Sequence, residues 1–171
     1  SAASDVYKRQ LIGQRDGYAV QSWPGYISNV RIVKGTGVYV NEFSPPVTPL
    51  TAITNTKLLC CNGSSVTGST VTPGTITANG NVASSTKSPF IYEHGENGVL
   101  IEGTPGTSSY YGVDLDGAGD HLTVAQTSSQ FSGQSDYTVE SWVKFNSFVT
   151  DGALWSNWND GNNRSILLEC N

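Results

Sequence analysis

The chain has 171 residues and a formal net charge of -5, with only 13% of residues charged and its nine Lys and Arg scattered along it; that distribution argues against a phosphate-binding face and against nucleic acid as a partner. Nineteen glycines and seven prolines come with many Ser, Thr and Asn, the profile of a β-rich, turn-rich protein. No stretch approaches the roughly 18 apolar residues of a membrane-crossing helix, so membrane insertion is not expected.

In chain order, residues 1–16 begin SAASDVYKRQ, which has no apolar core of a signal peptide and is expected to be a non-native or disordered leader outside the fold. Residues 25–34, GYISNVRIVK, place Val30 and Ile32 on one face and Arg31 and Val33 on the other, the alternation of a strand. Ile27 is out of phase with Val30, which predicts a bulge near Ser28 and Asn29. VYVNEF predicts a second, shorter extended piece, and SPPVTPL, with three prolines in seven residues, predicts an edge crossing or ordered connector. TKLLCC reads as a strand covered on both faces.

Residues 62–86 hold no charged side chain, and Pro73-Gly74 and Asn79-Gly80 mark turns; short hairpins or a linker are expected there, with a domain boundary within 62–109. GVDLDGAGDHLTV predicts a hairpin: Val113 and Leu115 alternate with Asp114 and Asp116, GAG turns, and Leu122 and Val124 return. DYTVESWVKF is the strongest strand, with Tyr137, Val139, Val143 and Phe145 on one face and Glu140 and Trp142 on the other. GALWSNWNDGNNRSILLEC places two apolar runs around a loop. The chain carries no Met and ends within the apolar run SILLECN, so a fragment of a longer protein is expected. The fold class expected is all-β, an antiparallel β-sandwich with Val30, Ile32, Leu115, Leu122, Val124, Val139, Val143 and Phe145 in its core.

GVDLDGAGDHLTV followed by DYTVESWVKF resembles the first strands of the laminin G-like modules in the concanavalin A-like lectin and glucanase jelly-roll superfamily. PGYISNVRIVKGTGVYVNEFSPPVTPL resembles the closing strands, so the order is inverted. The resemblance implies that residues 17–61 are the C-terminal part of one module, 62–109 a linker or short hairpins, and 110–171 the N-terminal part of the next, as in tandem repeats of marine phage and environmental viral structural proteins. It also implies a jelly roll that is incomplete or circularly permuted, closed by pairing or packing of the Val30–Val33 strand with the Thr138–Phe145 strand, with Arg31 or Lys34 in reach of Glu140.

Asp114, Asp116 and Asp120 crowd one turn, where like charges repel. Some laminin G-like modules bind calcium, which would relieve the repulsion; ordinary turn chemistry is the alternative, because three carboxylates fall short of the about six to eight oxygens calcium takes. Asn157, Trp158, Asn159, Asp160 and Asn162 join an aromatic ring to amides and a carboxylate, the inventory that stacks on and hydrogen-bonds a sugar; the alternative is a plain hairpin loop with both Trp155 and Trp158 in the core. Glu140 has no second carboxylate beside it, which weighs against glycoside hydrolysis. Cys60, Cys61 and Cys170 have no metal-ligand spacing and read as small buried side chains, with a pairing of Cys170 to Cys60 or Cys61 left open. The function expected is non-catalytic glycan binding or adhesion at a virion or extracellular surface. A structural spacer contacting neighbouring virion subunits is the alternative, and a hydrolase the remote one.

Overall fold

The computed structural model describes residues 9–15, 18–87, 89–90, 92–94, 100–102, 111–125, 136–147, 152–159 and 163–170, which form strands and no helix. In chain order the strands are β1 (Arg9–Ile12), β2 (Gln14–Arg15), β3 (Tyr18–Ser22), β4 (Pro24–Lys34), β5 (Thr56–Cys60), β6 (Ser69–Val71), β7 (Ile76–Asn79), β8 (Ala83–Ser85), β9 (Tyr92–His94), β10 (Leu100–Glu102), β11 (Gly112–Asp116), β12 (His121–Ala125), β13 (Tyr137–Phe145), β14 (Gly152–Asn159) and β15 (Asn163–Cys170). A five-stranded sheet runs β15-β14-β1-β12-β7, and a six-stranded sheet runs β6-β5-β4-β11-β8 with β13 also on β4. All the pairings in both are antiparallel. Both sheets contribute side chains to one core, a sandwich-like arrangement: Ile12, Leu122, Val124 and Trp155 come from the first, and Ile27, Val30, Ile32, Leu58, Val113 and Leu115 from the second.

The organising strand is β4. Along one side it pairs with β13 from Tyr137↔Lys34 to Phe145↔Gly25, and its other side is shared by β11 and β5. The expected closure between these two distant segments is therefore a continuous ladder. The bulge falls where the phase change placed it, because Asn29 has a φ of 54° and the register against β13 shifts between Glu140 and Trp142. Ile27 can then face the same core as Val30 and Ile32. Both faces of β4 are buried, Arg31 and Val33 included. The connector after it folds back over the outer face, where the Leu50 amide donates to Asn29 Oδ1 at 2.9 Å and Arg31 Nη1 donates to the Thr51 carbonyl at 2.8 Å.

Four expectations are corrected. Residues 9–15 are not outside the fold: β1 lies between β14 and β12 with Leu11 and Ile12 buried. Its polar sequence hid it, since Gln10 is also fully buried there and accepts from Trp155 Nε1 at 3.3 Å. VYVNEF is not a strand but part of the irregular crossing. β11 and β12 do not form a hairpin, because β11 pairs with β4 and β8 while β12 pairs with β1 and β7. The turn between them crosses from one sheet to the other, so Val113 and Leu115 meet Leu122 and Val124 through the core rather than side by side. Val143 is 37% exposed and is not core, while Val139 and Phe145 pack on the core only partly buried. Among the described residues, β4 is the strand that pairs with β13.

Trp23, fully buried, stacks obliquely on Phe145 with centroids 4.3 Å apart. Chain entry to β4 depends on Gly25, whose φ is 154° and whose missing Cβ would fall 2.1 Å from the Lys144 carbonyl oxygen. Gly25→Ala is expected to cost about 1 to 3 kcal/mol from backbone strain alone. Chemical denaturation reads it, and a variant as stable as the parent would show that β4 and β13 can separate there at no cost.

Candidate functional site

Where the connector lies over β13, a groove of about 410 Å³ opens, lined by Tyr39, Phe43, Pro45, Pro46 and Leu50 on one side and Thr138, Glu140, Trp142 and Leu154 among others on the other. Its size falls within the roughly 300–1,000 Å³ of small-molecule sites. The prolines stiffen the crossing, and Tyr39 and Phe43 stack with centroids 3.9 Å apart and planes at 18°. Trp142 is held edge-on by Phe90 at 5.5 Å, and the outward phase of Glu140 and Trp142 on β13 sets both toward the connector.

The carboxylate of Glu140 is held from two sides. Arg31 Nε donates to Oε2 at 2.6 Å, and the Tyr39 hydroxyl donates to Oε1. Burial, then the Glu140 acceptor and charge, raise the Tyr39 pKa above its ordinary value, so the phenol stays a neutral donor at physiological pH. The groove thus offers aromatic faces, a fixed carboxylate and the hydroxyls of Thr138 and Ser141. Sequence reasoning put Arg31 or Lys34 in reach of Glu140, and the partner is Arg31, but it missed Tyr39, Phe43 and Trp142 as one cluster. VYVNEF beside three prolines was the available signal: aromatics on a stiff irregular segment, close in sequence to one another but not alternating as a strand requires.

Of the three aspartates expected to crowd one turn, Asp116 and Asp120 keep their carboxyls within reach of each other, and backbone amides hold both. Asp120 is buried, with Oδ1 accepting from the Asn81 amide at 2.8 Å and Oδ2 from the Asp116 amide at 3.0 Å. Asp116 is exposed and accepts from the Ala118 amide at 2.7 Å, and Asp114 sits half-buried on β11. Among the described residues no three His, Cys, Asp or Glu side chains gather as metal ligands would. The carboxylates act as turn ties: Asp120 joins the turn after β7 to the one after β11. Asp120→Asn exchanges one acceptor for a donor facing an amide and is expected to cost about 1 to 3 kcal/mol, read by urea denaturation; an unchanged midpoint would mean the ties carry no stability. Calcium in excess is expected to leave the melting temperature where it is, and a calcium-dependent rise would restore the aspartates as ligands.

Asp116 gives a pH signature. The Ala118 amide first, then Asn81, hold its carboxyl below the ordinary value of 3.8. Its contribution to stability is therefore complete above the unfolded value and disappears as the pH falls through the lower folded one. Titration by NMR is expected to place the Asp116 midpoint below that of an unfolded peptide, and Asp116→Asn to flatten the acid limb of the stability profile.

Of the expected sugar-binding residues, Asn157, Trp158 and Asn159 close β14, with Trp158 opposite Arg164 and Asn159 opposite Asn163 in β15. Their side chains, and Asp160 and Asn162 entirely, lie outside the described residues. Trp155 is core, 2% exposed. Compared with known protein families, curated proteins and solved structures, the chain matches none.

Proposed function

We propose that the chain is a non-catalytic glycan-binding module, and that the groove between the connector and β13 holds the sugar. The carrying observation is one cleft lined by Tyr39, Phe43 and Trp142 around a fixed Glu140. Aromatic faces favour the CH surfaces of a sugar ring, while hydroxyls and a carboxylate select its OH groups. Glycoside hydrolysis needs two carboxylates, and Glu140 is the acidic residue lining this cleft, already bonded to Arg31 and Tyr39; a binding role fits that arrangement better than a catalytic one. We further read the fold as a laminin G-like jelly roll of the concanavalin A-like class, permuted across a repeat boundary and belonging to a virion or extracellular surface protein. The β4–β13 ladder between the two family-like segments supports the permutation.

A glycan array with the full chain tests the function. Saturable binding to a defined subset, lost in Trp142→Ala and kept in Trp158→Ala, is expected. The reverse pattern would move the site to the turn after β14, and no binding by folded protein would refute the reading. Contact with neighbouring protein subunits is the second reading, favoured by Val40 and Val47, which are 78% and 84% exposed on the connector, as apolar side chains of an interaction surface are. In that case Val40→Ser with Val47→Ser would abolish self-association while glycan arrays stayed blank.

A further inference from the structure

Adjacent residues of a strand point to opposite faces, so neighbouring cysteines in β5 would ordinarily hold their thiols apart. Here Cys61, just past the end of β5, has a φ of 59°. That left-handed turn brings its side chain back into the core that already holds Cys60, with the two residues 1% and 0% exposed. The sulfurs lie 3.6 Å apart. A non-glycine residue in this conformation costs roughly 1 to 2 kcal/mol, and Gly or Asn is the usual occupant. The turn is met by a second one: Asn29, φ 54°, donates its amide to the Cys61 carbonyl at 3.0 Å. Two uncommon backbone conformations thus cooperate to set two thiols side by side, and stored strain of this kind points toward function.

We propose that Cys60 and Cys61 close a vicinal disulfide when the chain folds in the presence of a small-molecule disulfide such as oxidised glutathione. One cysteine thiolate attacks the glutathione disulfide, forming a mixed disulfide and releasing one glutathione thiolate. Its neighbour attacks the protein-bound sulfur, the Cys60–Cys61 bond forms, and the second glutathione leaves. The protein gives up two electrons and two protons, and oxidised glutathione is reduced to two molecules of glutathione that carry them. The sulfurs must close from 3.6 Å to about 2.05 Å, and because adjacent Cα atoms stand about 3.8 Å apart, short of the about 4.4 to 6.8 Å of an ordinary disulfide, the small ring closes under strain. In the folded reduced chain the neighbouring Cys61 thiol, and then burial, raise the Cys60 pKa well above its ordinary value, so the thiolate is scarce and the exchange belongs to the folding chain or to a transient opening.

So small a ring removes little loop entropy, and its effect is local. It fixes the Cys61 carbonyl, which holds the Asn29 amide; Asn29 Oδ1 in turn accepts from the Leu50 amide at 2.9 Å, and Leu50 lines the groove. Oxidation therefore stiffens one wall of the groove whatever ligand the groove takes.

The test uses the full chain, once refolded from its reduced, denatured state in a glutathione redox buffer and once held in that buffer at a urea concentration just below the unfolding transition. Free thiols are then alkylated in denaturant and the chain is cut with trypsin. Cleavage after Lys57 and Lys87 yields a peptide, 58–87, that contains Cys60 and Cys61 but not Cys170. Under either regime this peptide is expected to be two hydrogens lighter than its reduced form and free of alkyl groups, and to gain two alkyl groups after reduction. A peptide from both regimes that takes two alkyl groups without prior reduction, that carries glutathione, or that is joined to the peptide containing Cys170 would overturn the proposal.

Discussion

Removal of residues 1–16 is expected to leave the chain unable to reach its native sheets. β1 is an interior strand, paired with β12 from Arg9↔Ala125 to Ile12↔Leu122 and with β14 through Leu11↔Ser156 and Ile12↔Trp155. Burial of Leu11 and Ile12 supplies roughly 1.5 to 3 kcal/mol each, and each ladder hydrogen bond adds about 1 kcal/mol. The Gly13 amide also donates to the Leu154 carbonyl at 2.8 Å, and the Trp23 amide donates to the Gly13 carbonyl at 2.8 Å. Together these losses rival the about 5 to 15 kcal/mol that holds a typical domain together. The shortened chain would also bare Leu122, Val124 and Trp155 along two open edges, a template for aggregation. Near-ultraviolet dichroism and a urea titration read the outcome. A cooperative transition like that of the full chain would show that β12 and β14 can close the sheet without β1.

That β1 escapes a reading of the sequence, while the faces of β4 and β13 do not, follows from what alternation reports. A period of two states which residues share a face, so Val30 could be placed with Ile32, and Glu140 with Trp142; that the two strands are neighbours, with Arg31 or Lys34 in reach of Glu140, came from the resemblance of both segments to adjoining strands of one module. The bulge at Asn29 was visible for the same reason, as a break of phase between Ile27 and Val30. Alternation does not state whether a face looks sideways to a neighbour or across a core. Val113, Leu115, Leu122 and Val124 give one pattern for a hairpin and for a turn that changes sheets, and two glycines of positive φ, Gly117 and Gly119, suit either. β1 offers four residues, of which Gln10 is polar yet buried, and a run so short carries no period. The groove is a tertiary product: its aromatic wall comes from a segment with no regular structure, and its floor from a strand more than ninety residues later. Proline content marked the crossing as stiff, but where it lies is fixed by tertiary contacts of Val38, Tyr39, Leu50 and Thr51.

Glu140→Ala is expected to destabilise the chain by about 3 to 5 kcal/mol, the cost of leaving one member of a buried ion pair without its partner. The side chains of Arg31 and Glu140 are only 7% and 11% exposed, so salt screens the pair far less than it would a surface one, and water entering from the groove supplies no countercharge. Arg31 keeps its bond to the Thr51 carbonyl, which is neutral and does not compensate a guanidinium charge. Replacing both partners, Arg31→Met with Glu140→Leu, removes the charge and the orphan together, and most of the stability is expected to return. A double-mutant cycle in urea, at unchanged m-value, isolates the coupling; additive single and double effects would mean that the pair contributes nothing beyond its separate packing. Glu140→Gln separates the two duties of the residue. It leaves an oxygen for the Tyr39 hydroxyl but cannot neutralise Arg31, so the fold is weakened while the aromatic wall of Tyr39 and Phe43 keeps its anchor. In Arg31→Met with Glu140→Leu the balance is opposite: the sheet is secure, but Tyr39 has lost its acceptor, and the wall keeps only the tie of the Val38 amide to Thr138 Oγ1 beside it. If the groove binds its ligand through that wall more than through the Glu140 carboxylate, which both variants remove, affinity measured on folded protein falls in the double variant and survives in Glu140→Gln; loss in both would give the carboxylate the larger part.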